Sequence, residues 1–90
     1  MLPRPHPAVL FEPVPGGAIL LHTENEIYFE LNAVGVEVWE LLPPACTRID
    51  EACDRLASRY PDVPAESLRA DVVELLDGLS TEGLVIPAET

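Results

Sequence analysis

The 90-residue sequence predicts an α+β domain in which a three-stranded antiparallel sheet is followed by three helices. Three observations carry this prediction. Between residues 26 and 31 apolar and polar residues alternate, which is the period of a half-buried strand. After residue 32 apolar residues recur at helical spacing in three separate stretches. Proline- and glycine-containing segments separate most of these stretches and mark turns.

The first third of the chain supplies the strands. Residues 8–14 and 18–23 are largely apolar and flank a Pro-Gly-Gly turn signal at 15–17. A polar link of hairpin length then leads to the third strand, residues 26–31. Consecutive strands joined by such short links pair side by side, so the three strands are expected to form an antiparallel meander.

The remaining two thirds supply the helices. The first is predicted over about 33–42, with Asn32 as its N-cap, because asparagine accepts hydrogen bonds from free amides at a helix start. The second is predicted over about 48–59 and the third over about 65–81. Gly83 follows the last helix as a plausible C-cap.

The starts of the later helices carry capping candidates. Thr47 and Asp50 have the spacing of a capping box, with Asp in place of the usual Glu. Asp62 is an acidic candidate before the third helix. The apolar stripe that the third helix is expected to turn toward the core comprises Leu68, Val72, Leu75 and Leu79.

Length and composition indicate one globular domain. Apolar residues make up 48% of the chain and charged residues 23%, a balance that favours a folded core. No run of 18 apolar residues is present, so neither a membrane span nor a signal peptide is expected and a cytoplasmic location is the default. We expect the proline-rich residues 1–7 to be a flexible tail and residues 8–90 to form the domain.

The net charge of −11 narrows the choice of partner. Asp and Glu number 16, against five Arg and no Lys. Such a surface repels nucleic acid and anionic membranes and favours cationic partners. An acidic surface that only maintains solubility explains the composition equally well.

Catalytic and metal-binding patterns are not found in the sequence. The glycines do not form a phosphate-binding loop, and no nucleophile, base and acid occur in a credible order. Cys46 and Cys53, if they share a helix, are separated by about 10 Å of rise, too far for a disulfide. His6 and His22 show no metal-ligand spacing. Neither an enzymatic activity nor a cofactor or metal is expected.

The arrangement of the last two helices raises DNA binding as an alternative function. A helix–turn–helix places its second helix in the major groove, where Lys and Arg contact phosphates. Here the corresponding helix is strongly acidic and carries one basic residue, Arg69. The charge therefore disfavours DNA binding.

Peptide binding is better supported. The third strand is expected to be an open sheet edge, and an open edge accepts a strand from another chain. Helical spacing places Leu76, Arg69 and Val73 on one flank of the third helix. Val73 either lines a groove beside the strand or packs against the first helix or the tail. Trp39 favours the core, and Tyr28 is compatible with either face.

Three ordered stretches carry a resemblance to a known family. They are Tyr28-x-x-Leu31-Asn32-x-x-Gly35-x-x-x-Trp39-x-Leu41-Leu42, Ile49-x-x-Ala52-x-x-x-Leu56-x-x-x-Tyr60, and Asp71-Val72-x-x-Leu75-Leu76-x-x-Leu79-x-x-x-Gly83-Leu84-Val85. Over residues 17–86 the chain resembles the PqqD-like family, the leader-peptide recognition elements of pathways for ribosomally synthesised and post-translationally modified peptides.

The resemblance implies a winged helix-turn-helix-like fold and a non-catalytic adaptor. In that family the precursor's leader docks as an antiparallel strand on the third strand, against the third helix. The peptide-binding residues it implies here are Glu26, Ile27, Tyr28, Phe29, Glu30, Leu31, Arg69, Val72, Val73, Leu76 and Asp77.

Two pathways are open under this resemblance. The sequence around Asn32 is more similar to that of the free-standing lasso-peptide type. The partners of that type are a transglutaminase-like leader peptidase and an ATP-dependent macrolactam synthetase. Leaders of that type carry Tyr-x-x-Pro, and an acidic domain favours a basic leader. The alternative is a peptide chaperone for a radical SAM enzyme in pyrroloquinoline quinone or related synthesis.

Overall fold

Five strands and three helices make up the part of the chain that the computed structural model describes, residues 1–88. In chain order they are β1 (Arg4–Pro5), β2 (Val9–Val14), β3 (Gly17–His22), β4 (Ile27–Asn32), α1 (Ala33–Glu40), α2 (Ile49–Arg59), α3 (Ala65–Thr81) and β5 (Val85–Ile86). The predicted class, a three-stranded antiparallel sheet followed by three helices, is confirmed, and β1 and β5 are additions to it.

The main sheet has the order β2-β3-β4, with β3 in the centre. Its register aligns Phe11, Leu20 and Phe29 across the three strands. Residues aligned in this way share a face of the sheet. Leu20 is completely buried, so this inner face is the one that the helices cover. No helix among residues 1–88 covers the opposite face, which we call the outer face.

The core lies between the inner face and the helices. Its buried residues come from β3, β4, all three helices and the segments that flank them, and they include Ala18, Leu20, Leu31, Val38, Leu56, Leu68, Val72, Leu79 and Leu84. Residues from every layer contribute, so the sheet and the helices depend on each other for burial. Within residues 1–88, no helix combines the length and the apolar character that a membrane crossing requires.

The amino-terminal segment is part of the fold, which corrects the expectation of a flexible tail over residues 1–7. Arg4 and Pro5 pair with Ile86 and Val85 in a second, two-stranded sheet. Leu2 is only 3% exposed and belongs to the core. Prolines suit such a short edge strand because their fixed φ is extended and the strand needs few amide donors. The prolines of this segment were interpreted as a sign of disorder. In the structure, Pro5 restricts the backbone of a short strand.

The start of α1 confirms the predicted cap. The Oδ1 of Asn32 accepts a hydrogen bond of 2.8 Å from the amide of Gly35, and Asn32 itself has an extended backbone. The residue therefore ends β4 and begins α1 without an intervening loop. This direct connection fixes the direction in which α1 leaves the edge of the sheet.

The end of α3 confirms the role of Gly83, which follows the C-cap residue and has φ of +72°. The amide of Leu84 donates to the carbonyl of Leu79 at 2.9 Å, and the amide of Gly83 donates to Ser80 at 3.1 Å. These two bonds form a Schellman motif. The motif turns the chain sharply, so that Leu84 enters the core.

The other capping predictions are wrong. The helix α2 begins after Arg48, and no side chain caps it. Asp50 instead forms ion pairs with Arg48 and Arg69, whose charged groups attract its carboxylate more strongly than a helix amide does. The helix α3 begins after Pro64, again without a side-chain cap, so Asp62 does not serve as one.

Candidate functional site

A groove of about 590 Å³ lies where β4, the beginning of α1 and the middle of α3 meet. Its lining residues are Phe29, Glu30, Leu31, Asn32, Val34, Gly35, Val38, Asp71, Glu74, Leu75 and Gly78. We call this feature the groove throughout. It joins the edge of the main sheet to residues of α1 and α3, and it is therefore the candidate site.

One wall of the groove is the edge of the sheet. The strand β4 pairs with β3 on one side and with no other strand among residues 1–88. Backbone amides and carbonyls on the free side of an edge strand are available to hydrogen-bond another strand. Since this free side borders the groove, a strand added to β4 lies along the groove beside α3.

The opposite wall is α3, which approaches β4 closely at a glycine. A Cβ atom placed on Gly78 would lie 3.5 Å from Cζ and 3.6 Å from Cε2 of Phe29. The absence of a side chain at position 78 therefore allows the aromatic ring to lie against the helix. Phe29, Leu31 and Leu75, with valines of α1, give the groove an apolar floor.

The rim of the groove is acidic. Glu30, Asp71 and Glu74 line it, together with no basic side chain. None of the three takes part in the ion pairs found within residues 1–88. The groove thus combines apolar contact area with uncompensated negative charge, which suits a peptide with basic and apolar residues and disfavours a phosphate backbone.

The predicted strand residues divide between the two faces of β4. Phe29 and Leu31 face the helices and line the groove, and Ile27 lies half-buried on the same face. Tyr28 is 71% exposed on the outer face. Glu26 precedes the strand, with φ of +54° in the turn before it.

The predicted residues of α3 do not line the groove. Val72 is fully buried in the core, and Leu76 is partly buried against it. Arg69, Val73 and Asp77 lie on the far flank of α3, where with Glu66, Ala70 and Glu74 they line a wide, shallow depression. Val73 is 42% exposed there. The groove side of α3 is instead formed by Asp71, Glu74, Leu75 and Gly78.

The geometry of a helix explains this difference between the predicted residues and the groove lining. Successive residues are separated by about 100° around the axis, so a buried stripe has one flank on each side. The sequence places Asp71 and Gly78 on one flank and Val73 on the other, but does not say which flank faces the sheet edge. Gly78 was the residue that could have indicated which flank faces the sheet. A glycine inside a helix costs about 1 kcal/mol relative to alanine and often marks close packing.

Arg69, which the resemblance placed among the peptide-binding residues, has a partner within the domain. Its Nη1 donates a hydrogen bond of 2.7 Å to Oδ1 of Asp50 and so connects α3 to α2. This hydrogen bond and the positive charge of Arg69 lower the pKa of Asp50 below its usual value of 3.8. Arg69 is thereby held on the far flank by a carboxylate outside the groove.

Two histidines that are distant in sequence also come together. The rings of His6 and His22 lie 4.6 Å apart, and with Glu24 they bring possible metal-ligand atoms within 4.8 Å of one another. However, Nδ1 of His6 accepts from the amide of Ala8, and Nδ1 of His22 accepts from the amides of Glu24 and Asn25. Each Nδ1 is thus occupied as an acceptor, whereas a histidine that binds a metal through Nε2 donates from Nδ1. The cluster therefore has a structural role: it joins the amino-terminal segment to the β3–β4 turn.

The outer face of the sheet is the second notable surface. Leu10 of β2 aligns with Leu21 of β3 and Tyr28 of β4, and Leu10 is 56% exposed. Ile19 lies on the same face between Glu12 and Glu30. One row across this face is therefore apolar and the next has Ile19 between two glutamates, and the face adjoins the free edge of β4.

Comparison with known proteins identifies similar chains. A sequence model of the family described as "Coenzyme PQQ synthesis protein D (PqqD)" matches residues 17–85. A solved structure described as "TbiB1 in Complex with the TbiA(beta) Leader Peptide" superposes with a TM-score of 0.82 at 26% sequence identity, covering 97% of this chain and 99% of that chain. A search of curated proteins found no match.

Proposed function

The chain belongs to the PqqD family, and from this premise we propose that it binds the leader of a ribosomally made precursor peptide as an additional strand on β4. The observation that carries the proposal is the free edge of β4 beside an apolar groove. The similarity to TbiB1, a protein solved with a leader peptide, supports it.

The two parts of the site make different contributions to binding. Backbone hydrogen bonds to β4 hold an extended peptide with little dependence on its sequence. The groove supplies selectivity, because Phe29, Leu31 and Leu75 offer buried contact area to an aromatic or aliphatic anchor. A leader is disordered when free, and these contacts must exceed the entropy lost when it is ordered.

We propose an adaptor role rather than a catalytic one. The groove contains carboxylates and one amide, Asn32, whose Oδ1 is occupied in capping α1. Among residues 1–88, no hydroxyl, thiol, imidazole or amine lines it, so of the usual nucleophiles and bases only carboxylates are present in the groove. Chemistry on the captured precursor would therefore be carried out by a partner enzyme.

We further propose that this partner is the transglutaminase-like leader peptidase of a lasso-peptide pathway, with a macrolactam synthetase acting afterwards. The outer face supports an enzyme partner, because its exposed Leu10 and Tyr28 form an apolar surface next to the peptide-binding edge. An enzyme bound there lies beside the peptide it must cut.

Pyrroloquinoline quinone synthesis is the second candidate pathway. The description of the matching family favours it, since that family is described by its part in coenzyme PQQ synthesis. In this case the partner would be a radical SAM enzyme, and the groove and the free edge would serve the same purpose.

A fluorescence-polarisation titration tests leader binding. The probe is a labelled basic peptide of about 20 residues that contains Tyr-x-x-Pro, and the control is a scrambled peptide of the same composition. We expect sub-micromolar binding of the probe and at least tenfold weaker binding of the scramble. Equal binding of the two peptides would contradict sequence-selective recognition.

A cleavage assay tests the partner. Leu10→Glu, two strands away from the groove, is expected to leave the peptide Kd unchanged while slowing leader removal by a transglutaminase-like peptidase at least tenfold. Val63→Glu is the matched control, since Val63 is also an exposed apolar residue but lies in the α2–α3 connection. Unchanged cleavage with Leu10→Glu would show that the outer face does not bind the peptidase.

A further inference from the structure

We infer that the groove selects leaders in which a cationic side chain lies two residues from the apolar anchor, and that Asp71 and Glu74 bind this cation. The inference rests on the proposed addition of the leader to β4. It adds a rule about spacing to that proposal, which specifies only an extended peptide with an anchor.

The spacing follows from the alternation of side chains along a strand. In a sheet, neighbouring residues of adjacent strands point to the same face. Residues of the added strand beside Phe29 and Leu31 therefore point toward α3, and those beside Tyr28 and Glu30 point toward the outer face. If the anchor enters the groove, the next side chain on that face is two residues away, at a distance of about 6.5 Å.

The groove side of α3 offers two carboxylates to that second side chain. Asp71 and Glu74 are three residues apart on the helix, which places their Cβ atoms about 5–6 Å from each other. Gly78 lies about 10 Å from Asp71 along the axis. Glu74 is nearer to Gly78, about 6 Å along the axis, which is similar to the distance between alternate side chains of the guest. Asp71 lies almost one helical turn further on.

The charge of the groove supplies the preference for a cation. Among residues 1–88, its lining contains Asp71 and Glu74 on α3 and Glu30 at the edge shared with the outer face, but no Arg, Lys or His. Arg69, the basic residue of α3, is occupied by Asp50 on the other side of the helix. A guest that covers Asp71 and Glu74 without a positive charge removes water from them and leaves them unpaired, which is costly. A guanidinium can hydrogen-bond both carboxylates.

A cation one residue from the anchor has a weaker partner. Alternation directs it to the outer face, where Glu30 lies beside Tyr28 on the same strand. Glu30 is exposed, as Asp71 and Glu74 also are, but it is a single carboxylate on a face that the groove does not enclose. A single solvent-exposed ion pair contributes little. The position of the cation along the peptide, and not only its presence, therefore decides its effect on binding.

Two labelled isomers test the rule. Both are otherwise neutral 15-residue peptides, one with the core Tyr-Gln-Arg-Pro and the other with Tyr-Arg-Gln-Pro, so that composition and net charge are identical. With tyrosine as the anchor, we expect the Gln-Arg isomer to bind about five- to tenfold more tightly. The double variant that combines Asp71→Asn with Glu74→Gln should reduce this preference to less than twofold.

Asp77→Asn is the control variant. It removes the same charge from α3, but Asp77 lines only the far-flank depression, whereas Glu74 lines both that depression and the groove. This variant should keep the full preference for the Gln-Arg isomer. Loss of the preference in Asp77→Asn would indicate a long-range field and overturn the assignment to Asp71 and Glu74.

The remaining outcomes separate the inference from the function on which it rests. If both isomers bind equally, or if the Arg-Gln isomer binds more tightly, the spacing rule is overturned while leader binding stands. If neither isomer binds, and a basic Tyr-x-x-Pro peptide also fails, the proposed function is overturned together with the rule.

Discussion

Gly78 of α3 faces the aromatic ring of Phe29 of β4, and a Cβ atom at position 78 would be 3.5 Å from the ring. That distance is ordinary van der Waals contact, so one methyl group fits and a larger side chain does not. The contact sets how close the helix approaches the edge of the sheet. It thereby determines the width of the groove where an added strand would lie.

We expect Gly78→Leu to abolish leader binding. The added side chain would enter the space beside Phe29 and occupy the groove. Gly78→Ala should retain binding and raise the free energy of unfolding by up to about 1 kcal/mol, because alanine is the better helix former. Circular dichroism establishes that each variant is folded, and polarisation measures the Kd. Normal binding by folded Gly78→Leu would exclude the groove as the site.

The two flanks of α3 are distinguished by a pair of charge insertions. Leu75→Glu places a carboxylate in the floor of the groove, and we expect the Kd for the leader to rise more than tenfold. Val73→Glu places the same charge on the exposed far flank and should change the Kd less than threefold. A larger rise in Kd for Val73→Glu than for Leu75→Glu would instead support the prediction from sequence that Val73 contacts the peptide.

The connection between β4 and α1 depends on one side chain. Asn32→Ala removes the acceptor of the Gly35 amide and is expected to lower the free energy of unfolding by about 1 kcal/mol. Asn32→Asp keeps an acceptor and should cost less. Urea denaturation measures both values, and a loss in Asn32→Ala no greater than in Asn32→Asp would show that the cap contributes little.

The ion pair between Asp50 and Arg69 predicts a dependence of stability on pH. Arg69 lowers the pKa of Asp50 in the folded protein, so the pair stabilises the fold above the usual pKa of 3.8, and this stabilisation is lost as the pH falls through the lowered value. The stability difference between the wild type and Asp50→Asn should therefore be fully present near about pH 6 and should decrease progressively as the pH falls below 3.8.

A matched variant checks the cause of this pH dependence. In an Arg69→Gln background, Asp50→Asn should have a smaller effect at neutral pH, and the effect should vary less with pH. The pair is exposed to solvent, so 1 M salt should also reduce it. A difference that persists unchanged in acid would assign the stabilisation to another interaction of Asp50.

Periodicity predicted the architecture well because burial in this fold follows simple repeats. The alternation of Ile27, Phe29 and Leu31 and the helical spacing of Leu68, Val72 and Leu79 each correspond to a buried face in the structure. These patterns follow directly from the geometry of strands and helices. They fixed the three main strands, the three helices and their order.

Features that depend on distant parts of the chain were not predictable in the same way. Arg4 and Pro5 form a strand only because Val85 and Ile86 are available beside them. Asp50 pairs with Arg69 and does not cap α2, because Arg69, 19 residues later in the sequence, is close in space. The choice of flank on α3 likewise depends on where the sheet lies, which helical spacing does not specify.

The pairing of β1 with β5 has a consequence for how this protein is joined to other chains. Arg4 and Ile86 are sequence-distant neighbours, and the amide of His6 also donates to the carbonyl of Leu84. A second domain fused by a short linker to either end of the described chain would thus be tethered at nearly the same point of the surface. The effective concentration of the fused domain near the groove would then depend mainly on the length of the linker. Fusion to the amino-terminal or to the carboxy-terminal end would make little difference.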